Sequence, residues 1–287
     1  MPIDTVGHEL FLRHLDSWVP AALHRARRAT VVLGYDGSVP RLAEETLRLV
    51  GEHVAPRRGC RLTVLVLADG TVDLPARLGD AEVGLPADVA VHLMPGDTGR
   101  LPVALRAAGA AGAPVLSYLE AGGPVDPVAL TAAATGRPAE ALVVAGAGIP
   151  LRSALVDAGF PLATEVELVD ADRRLGFGTG SDRSLEAVKE SLWATGLRLR
   201  DPHGAPLSPA PEADPAPLGR ALLDELTRRG PRTVTELRRY AVTDTAYRAV
   251  DAVRALTTLL DEGRVTRAPE HGRLAGDVLI TPARSAT

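Results

Sequence analysis

The sequence has few of the residues on which disulfide-bonded and metal-bound folds depend. It contains a single cysteine, Cys60, among 287 residues. One cysteine excludes a disulfide within the chain and a cysteine-based zinc or iron–sulfur site. The seven histidines show neither an H-x₃-H nor an H-E-x-x-H spacing, so the pattern predicts no metal site.

Aromatic residues and long apolar runs are also scarce. Aromatic residues make up 3% of the chain against 46% hydrophobic residues overall, so a core must be built from leucine, valine and alanine. No apolar run approaches the ~18 residues that a membrane-spanning helix needs. Residues 1–9 lack the charged-then-apolar layout of a secretory signal. Together these absences predict a cytoplasmic protein.

The charge is small and unevenly distributed. The formal net charge is −4, with 12 basic against 9 acidic residues in 216–287 and 20 against 27 in 1–215. A mildly basic C-terminal region therefore follows an acidic body. This balance argues against general adhesion to nucleic acid or to anionic membranes.

Short apolar runs dominate the first half of the chain. They are rich in valine and leucine and do not alternate with polar residues, which is typical of strands buried on both faces. Helical stretches lie between most of them, and this rhythm predicts an α/β fold with a mostly parallel sheet. Residues 69–87 contain too much glycine and proline for a helix to be predicted there. The predicted strands are 29–34, 62–68, 88–94, 113–119 and 139–145.

The rhythm changes after residue 160. Two close extended segments, 164–170 and 173–177, predict an antiparallel hairpin at the edge of the sheet. An amphipathic helix over 182–194 follows. The predicted fold class is therefore Rossmann-like, a mostly parallel sheet with an antiparallel edge hairpin.

A proline-rich segment divides the chain. Six prolines in 200–217 indicate a stiff linker between a domain over 1–199 and one over 218–287. The C-terminal pattern predicts three helices and two extended segments, in the order of a winged helix-turn-helix. The predicted helices are 218–229, 233–240 and 243–262, and the extended segments lie within 265–282.

Acidic residues follow the predicted strands at the edge where open α/β sheets bind ligands. The turn after the first strand holds Gly34, Asp36 and Gly37 but no G-x-G-x-x-G fingerprint. Asp69, Asp97 and Glu120 follow the next three strands in turn. Such carboxylates accept hydrogen bonds from ribose hydroxyls or an adenine amino group. They also serve as turn formers and helix caps, and both interpretations stay open.

The third C-terminal helix is the candidate recognition helix. Its start would present Thr245, Tyr247 and Arg248 to a DNA groove. Phosphate contacts are predicted for Arg254, Arg267 and Arg273. Four acidic residues dilute this charge, so DNA binding and protein docking both remain possible.

Three segments resemble the three-Cys-motif partner family. Residues 8–20, HELFLRHLDSWVP, are similar to its opening helix, and residues 31–40, VVLGYDGSVP, stand where the family has a strand running into an Asp-Gly-Phe-Ala-Gly-Pro-Gly loop. Gly176-Phe-Gly-Thr followed by residues 185–193 looks like the most recognisable late segment of the family. The resemblance implies a Rossmann-type methyltransferase domain followed by a winged helix, and a radical-SAM protein with three cysteines as partner.

The resemblance also assigns roles to the acidic edge. Asp36 and Gly37 would line the methionine end of S-adenosylmethionine, and Gly34 before them would also contact this cofactor. Asp69 would hold the ribose and Asp97 the adenine. Glu120 would lie near the transferred methyl group as the catalytic residue. The sequence departs from the family where Ser38 and Val39 replace loop glycines and where Glu120-Ala-Gly-Gly-Pro replaces Asp-Pro-Phe-Gly.

These departures favour a divergent accessory protein, with a degenerate methyltransferase-like domain and a winged helix that docks DNA or protein. Two alternatives remain. One is an active S-adenosylmethionine-dependent methyltransferase, and the other is a transcription regulator whose Rossmann-like domain senses a small metabolite. The accessory hypothesis needs no cofactor, whereas the enzyme hypothesis requires S-adenosylmethionine.

Overall fold

The computed structural model describes residues 5–35, 40–68, 73–210 and 214–283. Contacts divide the chain into two compact units. The first comprises Met1–Ala163 and Asp170–Ser181, and the second comprises Thr164–Val169 and Asp182–Thr287. The helix that starts at Asp182 thus groups with the C-terminal part, whereas the sequence pattern predicts a first domain that runs to residue 199.

The first unit alternates strands and helices from its N-terminus. Its strands are β1 (Arg28–Gly34), β2 (Arg61–Leu67), β3 (Val89–Met94), β4 (Val115–Glu120), β5 (Ala139–Gly146) and β7 (Arg173–Thr179). Its helices are α1 (Val6–Arg25), α2 (Pro40–Val54), α3 (Leu74–Glu82), α4 (Leu101–Ala107), α5 (Pro127–Ala133) and α6 (Arg152–Asp157).

The sheet of this unit is mostly parallel. Its strands lie in the order β3-β2-β1-β4-β5-β7. The pairs β1–β2, β2–β3, β1–β4 and β4–β5 are parallel, and β7 runs antiparallel to β5. The α/β class with a large, mostly parallel Rossmann-like sheet is therefore confirmed, and so is an antiparallel strand beside β5.

Helix α1 packs its apolar face against this sheet. Phe11, Leu15 and Trp18 are buried, and the helix continues through Pro20 to Arg25. One helix was not predicted from the sequence. Helix α3 forms within 69–87 because Pro75 stands in its first turn, where proline is tolerated, and because Leu78 supplies a buried apolar contact.

The second unit is mainly helical, with short strands. Its elements are β6 (Leu162–Leu168), α7 (Asp182–Trp193), β8 (Leu199–Arg200), β9 (Pro206–Leu207), α8 (Ala216–Arg229), β10 (Arg232–Thr233), α9 (Val234–Asp244), α10 (Ala249–Asp261), β11 (Val265–Ala268) and β12 (Leu279–Pro282). β8 pairs antiparallel with both β6 and β9. β12 pairs antiparallel with β10 and β11, in the order β10-β12-β11.

The predicted helix over 243–262 was wrong at its start. α9 continues to Asp244, and α10 begins only at Ala249, because Thr245 and Arg248 adopt extended backbone conformations. Arg248 is the N-cap of α10, and its backbone N–H donates to Asp251 Oδ2 at 3.0 Å. Within the described ranges, no helix is long and apolar enough to cross a membrane.

Candidate functional site

The carboxyl ends of the parallel strands define the candidate site. β1 lies between β2 and β4, so the strand order reverses beside it. A crevice at such a reversal is where open α/β sheets bind ligands. The strand ends that face this edge are Gly34, Leu67, Met94, Glu120 and Gly146.

The space next to Gly34 at this edge is filled by neighbouring side chains. A Cβ atom added there would lie 2.8 Å from Thr98 Cγ2 and 3.0 Å from Leu119 Cδ2. The glycine therefore lets the turn that follows β3 pack onto the end of β1. Asp36, Gly37 and Asp69 lie outside the described residues, so their predicted ligand contacts stay predictions.

Asp97 is exposed and caps a short helical turn over 98–100. Its Oδ1 accepts a hydrogen bond from the Gly99 N–H at 2.9 Å. Asp126, which the sequence analysis did not single out, caps α5 by accepting from the Val128 N–H at 2.8 Å. Both carboxylates border the same space, since a Cβ added at Gly99 would lie 3.0 Å from Asp97 Oδ1 and 3.3 Å from Asp126 Oδ2. The edge therefore carries a pair of carboxylates beside a glycine.

Glu120 ends β4 within a cluster of polar side chains. Tyr118 donates its hydroxyl to Glu120 Oε2 at 3.3 Å, and His8 Nε2 lies 3.5 Å from the same oxygen. Arg173, the first residue of β7, places its Nη2 3.9 Å from Glu120 Oε1. The Glu120 side chain is 24% exposed and that of His8 is 9% exposed, so the carboxylate faces the surface while the imidazole lies beneath it.

The approach of α1 to β4 places His8 in this cluster. A Cβ added at the buried Gly7 would lie 2.7 Å from Val144 Cγ2 and 3.2 Å from the Tyr118 hydroxyl. Only glycine lets the first turn of α1 come this close to β4 and β5. Sequence reasoning missed His8 and Arg173, because neither stands at a strand's carboxyl end and no local motif marks them.

A second histidine of α1 meets a second glutamate deeper in the unit. His14 Nε2 lies 2.6 Å from Glu140 Oε2, and Thr179 donates its hydroxyl to Glu140 Oε1 at 3.0 Å. The His14 ring also meets Phe177 edge-on, with 5.1 Å between ring centroids. The His14 and Glu140 side chains are 7% and 4% exposed. Both carboxylate oxygens of Glu140 are thus bound by side chains of the protein, and the pair ties α1 to β5.

In the second unit, two of the residues predicted to enter a DNA groove lie in the interior. Thr245 and Tyr247 are buried, and Tyr247 packs against Trp193 with 6.2 Å between ring centroids. Burial raises the pKa of the Tyr247 hydroxyl, which contacts the Asp214 carbonyl. In this conformation neither side chain is presented to a groove.

The neighbouring arginines are engaged by carboxylates. Arg248 stacks on Trp193, with its guanidinium carbon 4.0 Å from the ring centroid, and donates to Asp251 and Glu190. Arg254 donates to Asp251 as well. Burial works against ionisation of Asp251, but hydrogen bonds from Arg248 and Arg254 outweigh it and lower the Asp251 pKa. Arg248 and Arg254 are thus largely neutralised within the unit.

The remaining two predicted phosphate contacts are Arg267 in β11 and Arg273 in the connection between β11 and β12. Arg267 donates to the backbone carbonyls of Pro269, Gly272 and Arg273, which closes this connection. The Arg273 side chain is exposed. Of the six residues predicted to bind nucleic acid, Arg273 is therefore the one best placed to contact a phosphate.

Lys189 is the most deeply buried cation of the second unit. It is fully buried on α7 and donates from Nζ to the Thr245 carbonyl at 2.8 Å. Burial lowers its pKa to about 7, against the opposing attraction of Asp201 and Asp244. One turn further along α7, Trp193 donates from Nε1 to the Ala246 carbonyl at 2.8 Å. Helix α7 thereby fixes the connection between α9 and α10 from inside the unit.

No family model and no curated protein matches the chain. One of the solved structures that match is that of the pyocyanin biosynthetic protein PhzM, with 11% sequence identity and a TM-score of 0.30. The match covers 58% of this chain and 54% of that chain, so this chain spans about half of the PhzM structure. At this TM-score the likeness carries no argument. The resemblance to the three-Cys-motif partner family thus remains a prediction from the sequence.

Proposed function

We propose that the first unit binds S-adenosylmethionine at the carboxyl edge of its sheet and transfers the methyl group to an acceptor beside Glu120. The observation that carries this proposal is the cluster of His8, Tyr118 and Arg173 around Glu120 at the end of β4. The Glu120 carboxylate in this cluster is partly exposed, so a ligand at the sheet edge can reach it. The cluster therefore favours the active enzyme over the accessory role.

The described edge residues fit such a ligand. The ligand carries a positive sulfonium, an amino group and ribose hydroxyls, all of which a carboxylate-rich edge attracts. Asp97 uses Oδ1 as a cap, which leaves Oδ2 to accept a further hydrogen bond from a ligand. Asp126 contributes a second carboxylate beside Gly99. The contact predicted for Gly34 fits less well, because Thr98 and Leu119 fill the space next to it.

When bound, S-adenosylmethionine supplies a methyl group that is activated by the neighbouring sulfonium. The residues of the chain have to hold an acceptor in line with that methyl group and keep its nucleophilic atom deprotonated. Positioning of this kind accounts for a large share of enzymatic rate enhancement. Glu120 acts through charge, because a carboxylate near the reacting centre stabilises positive charge there.

Calorimetric titration of the full chain with S-adenosylmethionine and S-adenosylhomocysteine tests the proposal. We expect micromolar binding that Asp97→Asn weakens at least tenfold. Asp88→Asn is the matched control, since Asp88 is an exposed aspartate that precedes β3 at the opposite end of the same strand. Asp69→Ala tests the predicted ribose contact. Absence of binding at millimolar ligand would overturn the proposal and return the accessory role to first place.

For the second unit we propose a winged-helix module that docks protein rather than DNA. The order of α8, β10, α9, α10, β11 and β12, with β12 paired to both other strands, supports the winged-helix assignment. The pairing of Arg248 and Arg254 with carboxylates speaks against a phosphate-binding surface on α10. A radical-SAM partner with three cysteines stays a prediction of the sequence resemblance, as does the ligand-sensing regulator.

A mobility-shift experiment with random-sequence duplex DNA separates the two roles. Non-specific binding depends on phosphate neutralisation and weakens steeply with salt. We expect no shift at 50 mM salt and micromolar protein. A salt-sensitive shift that Arg273→Ala weakens would instead establish DNA binding.

A further inference from the structure

The Glu120 cluster combines a proton acceptor with a cation. His8 lies on α1, Glu120 and Tyr118 lie on β4, and Arg173 opens β7 opposite Gly146. His8, Tyr118 and Arg173 each approach the Glu120 carboxylate. The three neighbours of Glu120 differ in chemistry: the imidazole can accept a proton, the phenol hydroxyl can donate a hydrogen bond, and the guanidinium can bind an anion.

Glu120 is placed to orient the His8 ring. Its Oε2 lies 3.5 Å from His8 Nε2, at the outer limit of a hydrogen bond, and catalytic hydrogen bonds are often long before a substrate binds. With the Nε2 proton directed at the carboxylate, Nδ1 becomes the nitrogen that accepts a proton. The adjacent carboxylate then stabilises the imidazolium that forms. The ring is held from a second side by Tyr118, which meets it edge-on with 5.5 Å between ring centroids.

Arg173 adds a binding group for an anion. Its side chain is 39% exposed, and its Nη2 is 3.9 Å from Glu120 Oε1, beyond hydrogen-bond distance. A guanidinium presents a planar fork of donors that matches a carboxylate in a bidentate manner. A negatively charged ligand therefore has a partner close to the His8–Glu120 pair.

We propose that the methyl acceptor is a small organic acid that also carries an ionisable hydroxyl. This inference rests on the function proposed above. Arg173 binds the acceptor carboxylate, and His8 Nδ1 takes the hydroxyl proton. The acceptor oxygen uses its lone pair to bond to the methyl carbon, while the pair of the breaking S–C bond stays on sulfur. His8 is thus a catalytic base and Arg173 a specificity residue.

The first test is acceptor binding to the full chain without S-adenosylmethionine. Calorimetry would compare 4-hydroxybenzoate and 3-hydroxybenzoate with phenol, which lacks the carboxylate. We expect the acids to bind in the millimolar range or tighter, and Arg173→Met to weaken them at least tenfold while Arg174→Met, the next residue of β7, does not. Absence of acid binding at 20 mM, or equal binding by the two variants, would overturn the acid-acceptor proposal.

The second test separates this inference from the proposed function. S-adenosylmethionine binding by the unsubstituted chain is measured separately. Its absence would overturn the proposed function, whereas S-adenosylmethionine binding without acid binding would overturn this inference alone. Methyl transfer to an acid that binds should fall 10²- to 10⁴-fold in kcat in His8→Gln, with little change in KM. Nitrogen-15 NMR of the His8 ring should show the Nε2–H tautomer, which Glu120→Gln perturbs. An unchanged kcat in His8→Gln would remove His8 from its role as base.

Discussion

Helix α1 carries two histidines that each face a glutamate from the sheet, and the two pairs differ in almost every respect. His14 and Glu140 are buried, with 2.6 Å between His14 Nε2 and Glu140 Oε2, and Thr179 donates a hydrogen bond to the other carboxylate oxygen. His8 and Glu120 are 3.5 Å apart, and Glu120 is partly exposed. The inner pair has its hydrogen bonds satisfied by the protein. The outer pair keeps capacity for a ligand, which is what distinguishes a candidate site from a structural contact.

Removing one partner of the inner pair should have the largest effect. In His14→Leu, Glu140 stays buried without its imidazole partner, and the loss of one partner of such a buried pair costs about 3–5 kcal/mol of unfolding free energy. Urea unfolding can be followed through Trp18 of α1 in a Trp193→Phe background, so that the signal reports the first unit.

The double variant His14→Leu/Glu140→Leu is the control. It removes both partners and should recover most of the loss, because replacing both members of a buried hydrogen-bonded pair by apolar groups is often nearly neutral or stabilising. A loss below about 1 kcal/mol in His14→Leu would show that Glu140 finds other partners. The matching variant of the outer pair, His8→Leu, should cost far less, because Glu120 reaches solvent.

The second prediction concerns the close approach that positions the outer pair. Gly7→Ala puts a methyl group 2.7 Å from Val144 Cγ2, and overpacking of this kind costs about 1–3 kcal/mol. Helix propensity alone would instead favour alanine by about 1 kcal/mol. Gly79→Ala in α3 is the control, because a Cβ there meets no atom within 4 Å. Denaturant midpoints should move in opposite directions, and a shared upward shift would show that α1 has room to adapt.

Lys189, a buried ionisable group of the second unit, extends the comparison to a cation that donates a hydrogen bond to a backbone carbonyl. Burial lowers the Lys189 pKa to about 7, far below its unfolded value near 10.4. Between these values the unfolded chain binds more protons than the folded one, so stability rises with pH. We expect a gain of about 1–2 kcal/mol from pH 7 to pH 8.5, followed through Trp193 in a Trp18→Phe background.

Lys189→Met provides the reference for that titration. Its pH dependence should be flatter by the same amount, since methionine has similar length and no charge. If the two proteins respond to pH in parallel, burial does not lower the Lys189 pKa in the folded chain, and the prediction fails.

The sequence predicted the sheet because its strands are short valine- and leucine-rich runs, a pattern that buried parallel strands impose on composition. It predicted Glu120 at a strand end for the same reason. It did not predict His8 or Arg173 as neighbours of Glu120, because helix α1 and β7 come together there only through tertiary packing. The glycine at position 7 is required because Val144 and Tyr118 lie against it, and both are more than 100 residues away in the sequence. Local sequence therefore cannot reveal why Gly7 precedes His8.

In the C-terminal region the sequence pattern predicted too much helix. Periodicity located α8 and the later helices, but it merged residues 243–248 with α10 because their composition is compatible with a helix. The extended backbone at Thr245 and the α10 cap at Arg248 depend on local hydrogen bonds and on contacts from α7. Predicted groove contacts consequently fell on buried side chains.

The smallest expected change in stability concerns Asp97, whose carboxylate has two proposed roles: it caps the 98–100 turn and it binds the ligand. Asp97→Ala removes the cap on the 98–100 turn and should cost about 1 kcal/mol of unfolding free energy, whereas Asp97→Asn keeps an oxygen for the Gly99 N–H and should cost a few tenths at most. Both variants lose the negative charge. Weakened S-adenosylmethionine binding in both, despite their different stabilities, would mean that the charge of Asp97 serves the ligand. If binding instead falls only in Asp97→Ala, the carboxylate shapes the turn and the ligand depends on that shape, and Asp97 then belongs with Glu140 among the residues that build the unit rather than with Glu120.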